Sequence, residues 1–223
     1  MTTKHAFHTA VLLLLSTGCY YGSLQGARTL GENRYRIGGG VGLPAYLSSD
    51  DRREADTSGE DNLPVSPSLS FFTGAARRMD LGLAAYGYGI GPQVRVALLD
   101  PGFRAAISVS ACANYVIPAK VIGGRASLAA GYLLGRDLEL YGAWDAGYGP
   151  DVINVPEDST GARNWSEMKD SFYHYIRAGA VYALPGGGGS GSQWLPDGVT
   201  FEFAVPLDLR WNMVLAGLGV FFQ

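Results

Sequence analysis

From Arg34 to the end of the chain, apolar side chains recur at every second position in segment after segment, and no stretch holds the helical period. In 137–148, Asp137, Glu139, Tyr141, Ala143 and Asp145 alternate with Leu138, Leu140, Trp144, Ala146 and Tyr148. In 199–209, Phe201, Phe203, Val205, Leu207 and Leu209 alternate with Glu202, Ala204 and Asp208. The same period runs through 92–99 and 119–134. A strand turns successive side chains to opposite faces, so each segment reads as a strand with one polar and one apolar face. Pro and Gly interrupt nearly every window that could have formed a helix. Ten strands are predicted, over 34–45, 65–74, 80–89, 92–99, 103–116, 119–134, 137–148, 171–184, 199–209 and 212–222.

Alternation alone suits a soluble sandwich as well as a barrel. Composition separates them. The polar faces are poor in Lys and rich in Gly, Ala, Ser and isolated Arg or Asp, which suits a narrow, crowded lumen better than a solvated surface. Gly accounts for 32 of the 223 residues. The apolar faces carry aromatic rings near strand ends, among them Tyr35, Phe71, Tyr115, Trp144, Tyr148 and Phe172, as the interfacial girdles of a membrane barrel require. The long polar connections 46–64 and 149–170 fall at one end by strand count. The short turns at Arg77–Arg78–Met79, Asp100–Pro101–Gly102 and Gly135–Arg136 fall at the other. The connection from Pro185 to Gly198 breaks that rule and reads as a flexible Gly/Ser linker. After residue 19 no apolar run is long enough for a membrane helix, so a spanning structure has to be a barrel. The expected fold is all-β: a closed antiparallel up-and-down transmembrane β-barrel of about ten strands, with eight to twelve compatible. A net charge of −3 and the lack of a basic patch argue against nucleic acid as a partner.

The N-terminus reads as an export signal. Lys4 precedes the apolar run Ala10–Leu15, and Ser16-Thr17-Gly18 then leads into Cys19. Small residues before a Cys are similar to the acylation site of bacterial lipoproteins, although Ser16 stands where that pattern has Leu. An ordinary signal peptide cut nearby is the alternative. The expected division is therefore a signal peptide over 1–18, a linker over 19–33 beginning at a lipidated Cys19, and a barrel over 34–223. Cys112 then has no disulfide partner and reads as a small buried apolar residue.

Ala27-Arg28-Thr29-Leu30-Gly31, followed by a Gly-rich alternating strand, resembles the start of a family of bacterial outer-membrane β-barrel proteins. So do Arg78 to Leu83, a tight turn into a strand, and Gln93 to Asp100. The alternating run Val214 to Phe222 looks like the signal read by the barrel-assembly machinery, although Gln223 follows the last aromatic. The resemblance implies the bacterial outer membrane, with its lipids and that machinery as partners. It implies no activity, since such barrels serve as pores, enzymes and scaffolds.

No motif for catalysis stands out. His174 is the only histidine after the signal, and it shares the apolar face of its strand with Phe172 and Ile176, so an interfacial position is expected. Gly38 to Gly42 lacks the Lys-Ser/Thr and the helix of a phosphate loop. The acidic loops 50–61 and 149–170 are oxygen-rich enough to take Ca²⁺ or Mg²⁺ but fit no EF-hand spacing, so they read as solvated loops and no cofactor is expected. The informative set is the lumen. Period two places Arg34, Arg36, Arg95, Arg104, Arg125, Arg177 and Arg210 inside, against Asp80, Asp137, Glu139, Asp145, Glu202 and Asp208. Near-equal numbers of the two signs favour internal ion pairing, with Arg125 the expected partner of Glu139 and Asp145, over the single-sign excess of a selective channel. The expected role is structural or scaffolding, with a largely plugged lumen and surface loops open to a protein partner. A narrow pore, a lipid-modifying enzyme and a soluble periplasmic ligand-binding barrel are the alternatives.

Overall fold

Ten antiparallel strands close on themselves in this computed structural model, which describes residues 24–46, 66–86, 89–117, 120–150, 170–185, 195–207 and 213–223. The strands are β1 (Tyr35–Tyr46), β2 (Ser66–Ala76), β3 (Met79–Tyr86), β4 (Gly89–Ala97), β5 (Ala105–Val116), β6 (Val121–Leu134), β7 (Leu138–Pro150), β8 (Asp170–Ala183), β9 (Gly198–Pro206) and β10 (Met213–Phe222). Each pairs with its neighbours in sequence. The ring is completed by β1 against β10, in a register running from Ile37 opposite Phe222 to Tyr46 opposite Met213. Closure leaves no sheet edge, so every strand has its ladder partners on both sides. The expected strand count and order hold, with ends that differ by a few residues.

Side-chain alternation sets inside and outside. On β7, Glu139, Tyr141, Ala143 and Asp145 are buried, while Leu140, Trp144 and Tyr148 are each nearly half exposed. On β9, Thr200, Glu202 and Ala204 are buried, and Phe201, Phe203 and Val205 face outward. Outward rings pair across strands: Trp144 stacks on His174 at 5.8 Å between centroids, and Tyr148 meets Phe172 at 4.7 Å. A one-residue slip would exchange the two faces, so the register is tightly specified. Among the described residues no helix is long and apolar enough to cross a membrane, which says nothing about crossing by strands.

The turns beside the chain start are short and locally capped. Arg77 and Arg78 join β2 to β3, and residues 135–137 join β6 to β7, with Gly135 at a φ of 70°. In the turn from β4 to β5 the Asp100 carboxylate accepts the Gly102 N–H at 2.9 Å and the Arg77 guanidinium at 2.9 Å. The Gly102 bond holds the Asp100 carboxyl below its ordinary value against an opposing desolvation, with Arg77 and Arg78 adding to the lowering. The connection after β8 is closed at its base by Leu184 N–H to Asp197 O at 2.8 Å. Its central residues 186–194, both long polar connections and the whole of 1–23 lie outside the described residues.

The barrel interior is built from small side chains around a few large ones. Ala27, Ala129, Tyr141, Ala143, Val181 and Phe221 form one buried apolar cluster. Ala27 precedes the first strand. Its presence in that cluster places the described residues 24–30, which the sequence assigns to a linker, inside the barrel.

Candidate functional site: a charged lumen closed by the N-terminal segment

The lumen wall carries two arginine-centred clusters. On β8, Arg177 reaches both Asp145 on β7 and Glu202 on β9. Its Nε and Nη2 donate to the Asp145 carboxylate, the latter at 3.1 Å, and its Nη1 donates to Glu202 Oε2 at 2.6 Å. Nη2 also donates to Ser127 Oγ at 3.1 Å, and the Tyr141 hydroxyl donates to Glu202 Oε2 at 2.6 Å. Period two places all five side chains on the inner face of adjoining strands, which is why the cluster assembles once β6 to β9 are paired. On the other side of the ring, Arg95 on β4 donates from Nε and Nη2 to Asp80 Oδ2 on β3, at 3.0 and 2.6 Å. All five charged groups are buried, with Asp80, Asp145 and Glu202 at 0% exposure. Charges this deep are tolerated only when paired and hydrogen-bonded.

Both clusters also hold the N-terminal segment. Asp80 accepts the Leu30 N–H at 3.0 Å to Oδ1 and 3.2 Å to Oδ2. Glu139 Oε1 accepts the Ala27 N–H at 2.8 Å, and Glu202 Oε1 the Leu24 N–H at 3.4 Å. Arg95 Nη1 donates to the Gly26 carbonyl at 2.9 Å. Toward the mouth, Arg28 donates to the carbonyls of Pro101, Phe103 and Arg104 in the β4–β5 turn, at 2.6, 2.9 and 3.1 Å. The segment leaves through Gly31 and Asn33, at φ 84° and 59°, and joins β1 with the Asn33 N–H donating to the Gly74 carbonyl at 3.1 Å. A segment without ladder partners needs acceptors for its N–H groups, and wall carboxylates supply them.

Small wall residues make the room. A Cβ on Gly74 would stand 1.7 Å from the Gly31 carbonyl oxygen, and one on Gly131 3.1 Å from the Ala27 Cβ. A Cβ on Gly40 would stand 2.2 Å from Leu24 Cδ1. Beside Leu24 and Gln25 a cavity of about 20 Å³ remains, lined in part by Arg36, Ser68, Ser70 and Thr200. It has room for one water molecule.

The thirteen expected lumen charges distribute as follows. Asp80, Arg95, Arg125, Glu139, Asp145, Arg177 and Glu202 are buried on the inner wall. Arg104 and Asp137 are not part of it: each sits one residue before its strand, in an exposed turn, where alternation no longer dictates direction. Asp208 lies outside the described residues, as do Arg210 and Cys19. Arg34 is exposed at the rim, and Arg36 is half-buried with its guanidinium 4.4 Å from the Phe221 ring centroid. Arg177, on the strand after β7, donates to Asp145, on which the charge of the expected partner Arg125 also acts, and Glu139 accepts the Ala27 N–H. Sequence reasoning missed that Leu24 to Leu30 fill the lumen. The only signal was that this short stretch lacks the alternation of everything after it. Among the described residues no three of His, Cys, Asp and Glu group as metal ligands.

The class these features define is a closed ten-stranded barrel, charged within and apolar without, whose own N-terminal residues occupy the lumen. No protein-family model and no curated protein matches this sequence. Among solved structures, the chain is similar to the N-terminal β-barrel domain of Pseudomonas aeruginosa OprF, with 15% identity and a TM-score of 0.37 over 86% of this chain and 98% of that one.

Proposed function

We propose that this protein is a bacterial outer-membrane β-barrel with a structural or scaffolding role and a closed lumen. The observation that carries the reading is the inversion of polarity: ion pairs are buried, while every strand turns large apolar side chains outward. Tyr35, Leu69, Leu83, Ile122, Phe172 and Leu218, on six different strands, are each 54% exposed or more. Water-soluble monomers rarely expose one apolar patch beyond about 300–600 Å². A belt around the whole circumference suits hydrocarbon instead. Nine of the ten strands are 9 to 14 residues long, and about 9–11 residues suffice to cross a bilayer. The closed lumen is supported by the segment 24–30 and by the arginine–carboxylate clusters, both of which occupy the path a solute would take.

In this reading the outer-membrane lipids solvate the belt, and the barrel-assembly machinery inserts the chain. The long connections 46–64 and 149–170 face outward from the cell in this reading, where a protein partner would meet them. Cys19 is the acylated first residue of the mature chain, decided by mass spectrometry of its N-terminus: a free thiol there removes the lipid and leaves the barrel. The decisive experiment is extraction from isolated outer membranes. The protein should require detergent, change its gel mobility on heating, and pass no steady current in planar bilayers. Solubility without detergent would refute the membrane reading, and a steady ion current would replace the scaffold with a pore.

A further inference from the structure

The N-terminal segment is held in an unusual way. Its three luminal N–H donors, on Leu24, Ala27 and Leu30, are spaced by three residues and meet carboxylates on three different strands, β9, β7 and β3. Arg95 takes the Gly26 carbonyl in between. Each of these contacts reads the backbone, and the wall opposite the segment is cleared by glycine at 40, 74 and 131. We infer that the lumen is a binding site for an extended polypeptide backbone, and that residues 24–33 occupy it as an exchangeable ligand that closes the barrel. The inference rests on the membrane-barrel reading above.

Two features make exchange physically reasonable. Asp80 and Glu202 each keep an arginine, at 2.6 Å in both cases, so two of the three acceptors stay compensated when the segment leaves. Glu139 has no ion-pair partner among the described residues, so an empty lumen leaves it facing water that has entered. Among the described residues the segment is continuous with the barrel at Gly31 to Asn33, where positive φ values at Gly31 and Asn33 mark a sharp change of direction into β1. At the mouth, Arg28 fastens it to carbonyls of an exposed turn, the part of the contact most open to competition by water. Backbone recognition also widens the range of fitting ligands. The same segment of a second copy, or another small-residue peptide, presents the same N–H groups.

The test uses the full chain. Ala27→Pro with Leu30→Pro removes two of the three N–H donors and alters no strand. The parent should be silent in planar bilayers, and the double variant should show discrete current steps. A peptide spanning residues 20–33 is then added. A tether of this length holds its segment at an effective concentration on the order of 1 mM, so free peptide near that level should suppress about half the current or more. The same peptide carrying both prolines should not. Three results would overturn the inference. The variant could stay silent while still migrating as a heat-modifiable barrel, so that side chains alone close the lumen. Its current could ignore the natural peptide, so that the lumen is no peptide site. Or neither protein could insert into vesicles or shift on heating, in which case the membrane reading fails first and takes the inference with it.

Discussion

Replacing Arg177 with Met should cost the barrel about 3–5 kcal/mol, the range for removing one partner from a buried ion pair. Arg177 is 3% exposed and makes at least four hydrogen bonds, two to Asp145, one to Glu202 and one to Ser127. Summing those bonds at about 1.5–3 kcal/mol each would give roughly 6–12 kcal/mol, more than such truncations cost, because side chains relax and water enters. The loss is better seen as two buried carboxylates, Asp145 and Glu202, deprived of the cation they share, with the charge of Arg125 still acting on Asp145. It follows that Arg177→Met combined with Glu202→Gln should recover much of the deficit, since Asp145 still faces Arg125 and Glu202 no longer carries a charge. The assay is urea unfolding from lipid vesicles, followed by the fluorescence of Trp144, which lies on the outer face and, in the proposed membrane reading, leaves hydrocarbon on unfolding. A loss below about 1 kcal/mol for Arg177→Met, the value of a solvated pair, would refute the reasoning by showing a wet, high-dielectric lumen.

Other outcomes follow from the same geometry. Leu128→Arg, outward at the middle of β6, should cost about 2–4 kcal/mol in the same unfolding assay, and Leu140→Arg less, because it sits nearer the strand end. Gly74→Ala should destabilise by about 1–3 kcal/mol, because its Cβ would meet the Gly31 carbonyl, and protease should then cut within 24–33 faster than in the parent. The Asp100 carboxyl is held below its ordinary 3.8, so its contribution is present above that pH and lost as pH falls through the lower folded value. The Gly102 amide resonance should report this, with a midpoint below 3.8 that vanishes in Asp100→Asn. Protease added to intact cells should cut within 46–64 or 149–170. Cleavage there only after lysis would invert the topology.

The strands and their faces were legible in the sequence because alternation is local. Leu140 and Trp144 point outward and Glu139 and Asp145 inward for a reason contained within the 13 residues of β7. The even count that returns the chain end beside its start required only that consecutive strands pair. Arg104 and Asp137 were misplaced where that reasoning stops, at the junction of strand and turn, since one residue of uncertainty in a strand end decides whether a side chain enters the lumen. The reach of Arg177 to Asp145 was not legible, because seven arginines satisfied the pattern and only the diagonal geometry of β7 against β8 brought this one to that carboxylate. The filling of the lumen was beyond local reading altogether. Ala27 meets Glu139 across 112 residues of sequence and Leu24 meets Glu202 across 178. The segment shows no period of its own because its N–H groups are satisfied by the wall, and that wall exists only after ten strands have closed.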